Sequence, residues 1–263
     1  MLQNVDLRLF PDGERLAAEM VGTLIGVLAR RQQAGGVASI SCTGGSMGQA
    51  FAQRLVELHE RNDQSLTQVD WTAVHYWFGD ERYVPVGHPE RNDGLLQDFF
   101  DRLEVPAENI HRVLGPESSD DVTDSAYAYA EQLRAVYPEL TERFASERDE
   151  RTPIFDVLML GVGPDGHVAS LFPEHQAAKA SGITVGLTDS PKPPPERVSF
   201  TNELINSSAR VWILAVGAGK AQVLADAFTC ADTELPVARV SGAEQTMWWL
   251  DHAAAEKLPR RED

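Results

Sequence analysis

The side chains best suited to acid–base chemistry stand together in Gly161-Val-Gly163-Pro-Asp165-Gly166-His167. A histidine near its ordinary pKa can take a proton from water at neutral pH. Asp165, two residues back on the same turn, is placed to fix the imidazole tautomer or to contact a substrate. The apolar run over 155–160 has strand length, and the glycines after it let the backbone turn tightly and pass close to a ligand. His167 should therefore stand just past the edge of a sheet, where open α/β folds bind substrates. A buried structural histidine would not need this glycine setting.

Groups that could hold an anion occur at other predicted strand ends. Thr43-Gly44-Gly45-Ser46 follows a strand over 37–42 and opens a helix carrying Phe51, Leu55 and Leu58. Free backbone N–H groups at such a helix start are a natural seat for phosphate. Many α/β proteins carry a turn of this kind that binds nothing, so the loop decides nothing alone. A second strand, 71–78, ends in Gly79-Asp80-Glu81-Arg82. Charge usually forms a solvated rim, but this position favours a site, and none of the three charged side chains is expected in the core. Lys220 is one of only four lysines against nineteen arginines, at the end of the strand 210–216 beside Gly217 and Gly219. The helix dipole disfavours a cation there unless an anion joins it, and a flexible ammonium suits phosphate as a point charge.

Other motifs are weaker. Gly161-Val-Gly163-Pro-Asp-Gly166 matches the dinucleotide pattern formally, but Pro164 and Asp165 occupy the turn and Pro173 limits any following helix. Gly219-Lys220 lacks Walker glycine spacing and is followed by Ala221. No Cys/His spacing suggests zinc, and there is no G-x-S-x-G elbow.

The elements that must position these residues alternate along the chain. Helices are predicted over 14–31, 92–103 and 121–144, the last with Val122, Ala126, Tyr129, Leu133, Val136 and Leu140 on one face. A helix runs from Lys220 through Phe228, and 243–257 reads as a closing helix. Further strands are predicted over 109–114, 197–201 and 236–240, with His111 a satisfied core or rim residue. A charged connector covers 147–151, and 181–197, with its Pro191-Lys-Pro-Pro-Pro195 run, reads as a stiff loop. This alternation implies an α/β, Rossmann-like fold: a largely parallel sheet with helices on both faces, expected as one domain over 1–263.

The chain of 263 residues is 43% hydrophobic and 24% charged, ordinary for a globular protein. Its formal charge of −17, from 23 basic and 40 acidic residues, argues against nucleic acid and anionic membranes as partners. An anionic substrate then needs a locally basic pocket. Two cysteines, Cys42 and Cys230, are too few for a disulfide scaffold. No apolar run approaches the ~20 residues of a membrane span, and Asp6, Asp12 and Glu14 do not fit a signal peptide. A cytoplasmic protein is expected.

Taken together, these pieces resemble the glucosamine-6-phosphate isomerase/6-phosphogluconolactonase superfamily, and within it the 6-phosphogluconolactonases. The matching segments are Thr43-Gly-Gly-Ser46, Trp77-Phe-Gly-Asp-Glu-Arg-Tyr-Val-Pro85 with Asn92, Leu160-Gly-Val-Gly-Pro-Asp-Gly-His-Val-Ala-Ser-Leu-Phe-Pro173, Ser190-Pro-Lys-Pro-Pro-Pro-Glu-Arg197 and Val216-Gly-Ala-Gly-Lys-Ala221. The resemblance implies hydrolysis of a phosphosugar lactone, 6-phospho-D-glucono-1,5-lactone, by a monomer without metal or organic cofactor. It implies His167 as the base that activates water, with Asp165 beside it. Gly44, Gly45, Ser46, Arg82 and Lys220 would hold the phosphate, and Asp80, Asn92 and Arg197 would line the sugar side.

Two positions depart from the family pattern. Met47-Gly48 stand where Thr-Pro is usual, and Glu90-Arg91 where Asp-Ser usually precedes Asn92. The first removes a hydroxyl that would need replacing if it touches phosphate. The second alters the pocket rim or lies on the surface. Two rival functions are weighed against the lactonase. A deaminating isomerase of glucosamine 6-phosphate typically carries Asp-Glu-Tyr and Asn-Glu-Pro, where this chain has Asp80-Glu81-Arg82 and Ser170-Leu-Phe-Pro173. A non-catalytic phosphosugar sensor of the repressor type would add a DNA-binding segment and a basic surface.

Overall fold

A computed structural model describes residues 5–140, 153–229 and 233–259. Among the described residues, nine strands form two sheets: β1 (Val5–Phe10), β2 (Ala38–Cys42), β3 (Val74–Phe78), β4 (Asp80–Arg82), β5 (Val157–Gly161), β6 (Thr184–Leu187), β7 (Arg197–Phe200), β8 (Arg210–Ala215) and β9 (Gln245–Asp251). The larger sheet has the order β1-β9-β8-β5-β2-β3, and all its pairings are parallel. The smaller sheet, β4-β7-β6, is antiparallel. The expected α/β fold with a largely parallel sheet is present, with this second sheet added to it.

The helices are α1 (Gly13–Gln33), α2 (Gly45–Glu60), α3 (Gln97–Arg102), α4 (Val122–Val136), α5 (Asn202–Ile205), α6 (Ala221–Thr229) and α7 (Pro236–Arg239). Asp12 caps α1 by accepting from the Arg15 N–H at 2.8 Å, and Leu16, Met20, Leu24, Val27 and Leu28 form its buried stripe. Alternate residues of the central strands face two cores. Met159, Trp212, Leu214 and Trp249 pack with α1 and α2. Leu158, Leu160, Ile213 and Trp248 pack on the other side with α4, α6 and the small sheet. Burial on both faces explains why these strands read as continuous apolar runs.

Strand order reverses between β2 and β5. From β2 the chain moves outward to β3, then returns to lay β5 on the opposite side. The crevice beyond the carboxyl ends of two such strands is where open α/β sheets place ligands. One residue, Gly79, joins the two sheets. Its N–H donates to Cys42 O at 3.2 Å, continuing the large sheet, while its carbonyl accepts from Phe200 N at 2.8 Å, beginning the small one.

Several element readings are corrected. Where a strand over 236–240 was expected, Pro236–Arg239 form α7, because Pro236 occupies the first helical turn, where its missing N–H costs nothing. The closing helix over 243–257 is β9 followed by turns. Met-Trp-Trp-Leu supplies a strand buried between β1 and β8, although the alanines at 253–255 favour helix. Strand β1, which completes the sheet, was not anticipated; its Leu7 and Leu9 are exposed on an edge strand and give no core signal. Only one bridge, Tyr76 to Ile110, stands where a strand over 109–114 was expected. Helix α4 ends at Val136 because Pro138 drives Tyr137 to φ −124°; the remainder of the predicted helix beyond 140, and the charged connector, lie outside the described residues. The loop over 181–197 contains β6.

Candidate active site

A cavity of about 230 Å³ opens at the carboxyl ends of β2, β5 and β8. Gly44, Gly45, Ser46, Asp80, Arg82, Asn92, His167, Arg197 and Lys220 all line it. Nine of the ten residues singled out by sequence therefore meet in one place, and Asp165 stands directly behind His167.

The turn after β5 is shaped by glycine. Gly163 N–H donates to His167 O at 2.9 Å, and Gly166 N–H to Gly163 O at 3.0 Å with Gly166 at φ +82°. A Cβ on Gly163 would lie 2.0 Å from the His167 ring and 2.5 Å from Asp165 Oδ1. Glycine is required there so that imidazole and carboxylate can meet. Nδ1 of His167 lies 2.5 Å from Asp165 Oδ1. Partial burial works to raise the Asp165 pKa, but the hydrogen bond and charge of His167, with Lys192, bring it down to about 2. An ionised carboxylate only accepts, so the imidazole proton sits on Nδ1 and Nε2 is left free for a ligand. The ring rests on Phe172, centroid to centroid 4.6 Å. Burial lowers the His167 pKa, and Lys192 adds to this; Asp165 and Asp80 oppose it.

The anion-binding groups come from three places. Helix α2 starts without a side-chain cap or an acidic residue in its first turn, leaving its first amides and positive dipole end open. Gly44 is held close to Asn92, in the segment that follows β4: a Cβ there would lie 1.9 Å from Asn92 Oδ1. Arg82 donates through Nη1 to Glu90 O at 2.6 Å, while its buried Nε has no partner among the described residues. Lys220 has no acidic partner within 4.0 Å among the described residues; burial, then the nearby Lys192, lowers its pKa. Donors that lack partners among the described residues and gather at one cavity suit an anion.

On β4 the side chains alternate. Asp80 and Arg82 line the cavity, and Glu81 points the other way. Glu81 is fully buried, which corrects the expectation that none of the three belongs to the core. Its carboxyl accepts from the backbone N–H groups of Arg82, Asn92 and Asp93 at 2.7–2.9 Å. Burial, reinforced by Asp93, pushes its pKa up to about 7 against the pull of Arg91 and the N–H donors. Asn92, positioned this way, donates through Nδ2 to Asp80 O at 2.9 Å. Ser170 Oγ donates to Asp80 Oδ2 at 2.7 Å, a contact that joins the histidine segment to the small sheet.

The two departures from the family pattern have definite places. Arg91 is buried inside the protein, donating to Asp93, Val84 O and Val113 O. Arg91 is neither rim nor surface, whereas Glu90 is exposed as expected, and its carbonyl accepts from Arg82 Nη1. Gly48 lets α2 pass against the Thr43 carbonyl, where a Cβ would lie 2.1 Å away. The Thr43 hydroxyl accepts from Gly161 N–H at 3.0 Å and ties the ends of β2 and β5 together.

Arg197 lines the cavity, but most of its donors are engaged by the proline-rich loop. Nε meets Pro194 O at 3.1 Å, and Nη2 meets Lys192 O at 3.1 Å and Pro193 O at 2.9 Å. The loop thus held carries Lys192, whose Nζ lies 3.1 Å from Asp165 Oδ1. No local pattern in the sequence gives Lys192 a role. The scarcity of lysine that marked Lys220 applies to it equally.

A doubly covered parallel sheet with a histidine–carboxylate pair beside cationic side chains is an arrangement suited to proton chemistry on a small anionic molecule. Comparison with known proteins narrows this class. A sequence model described as glucosamine-6-phosphate isomerases/6-phosphogluconolactonase matches residues 11–249. The chain belongs to that family. It is 39% identical to a 6-phosphogluconolactonase of Streptomyces coelicolor over 95% of this chain and 93% of that one. It is 34% identical to a 6-phosphogluconolactonase of Mycobacterium tuberculosis over 96% and 98% of the two chains. Its fold matches the 6-phosphogluconolactonase of Trypanosoma cruzi with a TM-score of 0.79 at 24% identity, covering 99% of each.

Proposed function

We propose that this chain hydrolyses 6-phospho-D-glucono-1,5-lactone to 6-phospho-D-gluconate, the second step of the oxidative pentose phosphate pathway. In this reading it acts as a single-domain cytoplasmic monomer that needs no metal or organic cofactor. The observation that carries the reading is one cavity shared by a histidine oriented through Asp165 and by cationic donors that lack acidic partners among the described residues.

The open amides at Gly44, Gly45 and Ser46, with Arg82 and Lys220, hold the phosphate. Asp80 and Asn92 face the sugar, together with Nη1 of Arg197, its least engaged nitrogen. Tethering the phosphate fixes the carbonyl relative to His167 and supplies binding energy remote from the reaction. Nε2 takes a proton from water as the water oxygen bonds to the lactone carbon, and the carbonyl electron pair moves onto oxygen. When this intermediate collapses, the bond to the ring oxygen breaks. The imidazolium returns its proton to that oxygen, which leaves as a hydroxyl. The new carboxylic acid then loses its proton to solvent. A δ-lactone is an activated ester, so one base and hydrogen bonds to the oxyanion suffice.

The test oxidises glucose 6-phosphate rapidly to the lactone and times the appearance of 6-phosphogluconate above spontaneous hydrolysis. The wild type should shorten the lag and His167→Asn should not. An unchanged lag with wild type, accompanied by conversion of glucosamine 6-phosphate, would replace this reading with the deaminase.

A further inference from the structure

Lys192, His167 and Asp165 make a three-way contact. Nζ lies 3.1 Å from Asp165 Oδ1 and 3.1 Å from His167 Nδ1, while Nδ1 itself lies 2.5 Å from the same Oδ1. With the Nδ1 proton directed at Asp165, that nitrogen has no lone pair for an ammonium, which can only donate. The approach of Lys192 to His167 is therefore a positive charge set against an N–H. A neutral imidazole tolerates this; an imidazolium is repelled.

The geometry is held in place. Arg197 binds the carbonyls of Lys192, Pro193 and Pro194, and Ser190 Oγ bonds both to Lys192 O at 3.0 Å and to Lys192 N at 3.3 Å. Nζ and the Arg197 guanidinium each stand 5.8 Å from the centre of the Phe172 ring on which His167 rests. The other charges acting on His167 are Asp165 and Asp80, which both favour the imidazolium. Lys220, in the same cavity, interacts with both Lys192 and Asp165.

An orienting carboxylate has a side effect: it makes the imidazole easier to protonate, which would silence the base near neutral pH. We infer that Lys192 is a positioning residue that offsets this, binding the Asp165 carboxylate while keeping the imidazole neutral so that Nε2 remains available. The inference rests on the proposal that His167 is the base. It assigns the Pro191-Lys-Pro-Pro-Pro195 segment a function, since a stiff, pinned loop can hold a lysine at a fixed distance from the ring.

The test compares Lys192→Met and Lys192→Arg with wild type in the full-length protein. The His167 ring signal is followed by NMR against pH without ligand and identified by its absence in His167→Asn. In Lys192→Met its midpoint should rise by about half to one pH unit, and in Lys192→Arg by less than about 0.2. The acidic limb of kcat/KM should move upward by the same amount, with kcat at high pH little changed. A midpoint that stays or falls in Lys192→Met overturns the inference, as does a loss confined to KM at every pH. Failure of the base assignment shows itself separately: His167→Asn would retain lactone hydrolysis, while the NMR midpoint would still decide whether Lys192 controls the ring.

Discussion

His167 and His111 are the same side chain in similar surroundings with different capabilities. Each lies on an aromatic ring, His167 on Phe172 and His111 on Trp77, the latter at 3.7 Å with the rings 6° from parallel. Burial lowers the pKa of both, and with the adjacent His75 it takes His111 down to about 4. The partners differ. His111 shares Nε2 with His75 Nδ1 at 2.8 Å, which can satisfy a hydrogen bond but exerts no charge that orients a proton. His167 has a carboxylate on one nitrogen and cavity at the other. Burial makes a histidine neutral, but a directional partner and an open face are needed to make it a base.

The largest expected effect comes from removing the capable member. His167→Asn should lower kcat by about 10³-fold or more, while the dissociation constant for 6-phosphogluconate, measured by calorimetry, changes only a few-fold. Equal loss of binding would show that His167 grips the ligand instead of acting on water. Asp165→Asn tests what the partner contributes. It keeps the shape but offers an amide that can donate to Nδ1 and so favour the wrong tautomer. A fall in kcat of about 10²-fold is expected, with KM little changed.

Lys220→Met addresses the receptor that His111 lacks altogether. KM should rise about 10-fold with kcat within a factor of about three, the mark of a contact made equally in ground and transition states. The smallest effect belongs to His111. The unfolded chain binds its proton near pH 6.5 and the folded chain only near pH 4, so its contribution to stability is complete above 6.5 and declines as pH falls through that window. Between pH 7 and pH 5 the wild type should lose about 2 kcal/mol through this group. His111→Phe should remove that slope in urea unfolding while leaving lactone hydrolysis at pH 7 nearly intact.

How legible the site was follows from where its residues stand. His167, Gly44 and Lys220 follow apolar runs that end in glycine, and such an ending announces both a strand and its use. His111 could be set aside because it had no such ending. Lys192 was hidden because its role depends on a fold that returns the loop to the β5 turn, and no local pattern records that. Glu81 was hidden by its neighbours: two charged residues that line a cavity made the third look solvated. Of the small sheet only β7 was legible; β4, β6 and β9 were lost for a related reason. Strands of three or four residues carry too short an alternation to read, and Trp248 and Trp249, which face opposite cores, mimic a helix followed by its alanines.

Gly79 sets a condition on how this protein can vary. Because it is the single residue between the last position of β3 and the first of β4, the reading frame of the cavity wall is counted from it. A substitution nearby changes one contact. An insertion or deletion of one residue would reverse the faces of β4, presenting the Glu81 carboxylate to the cavity and turning Asp80 and Arg82 inward. The receptor would then repel the anion it now attracts, with every other residue of the site still in place. Length at this junction therefore constrains the site as tightly as any side chain, and related chains that bind the same substrate should differ in composition around Gly79 long before they differ in count.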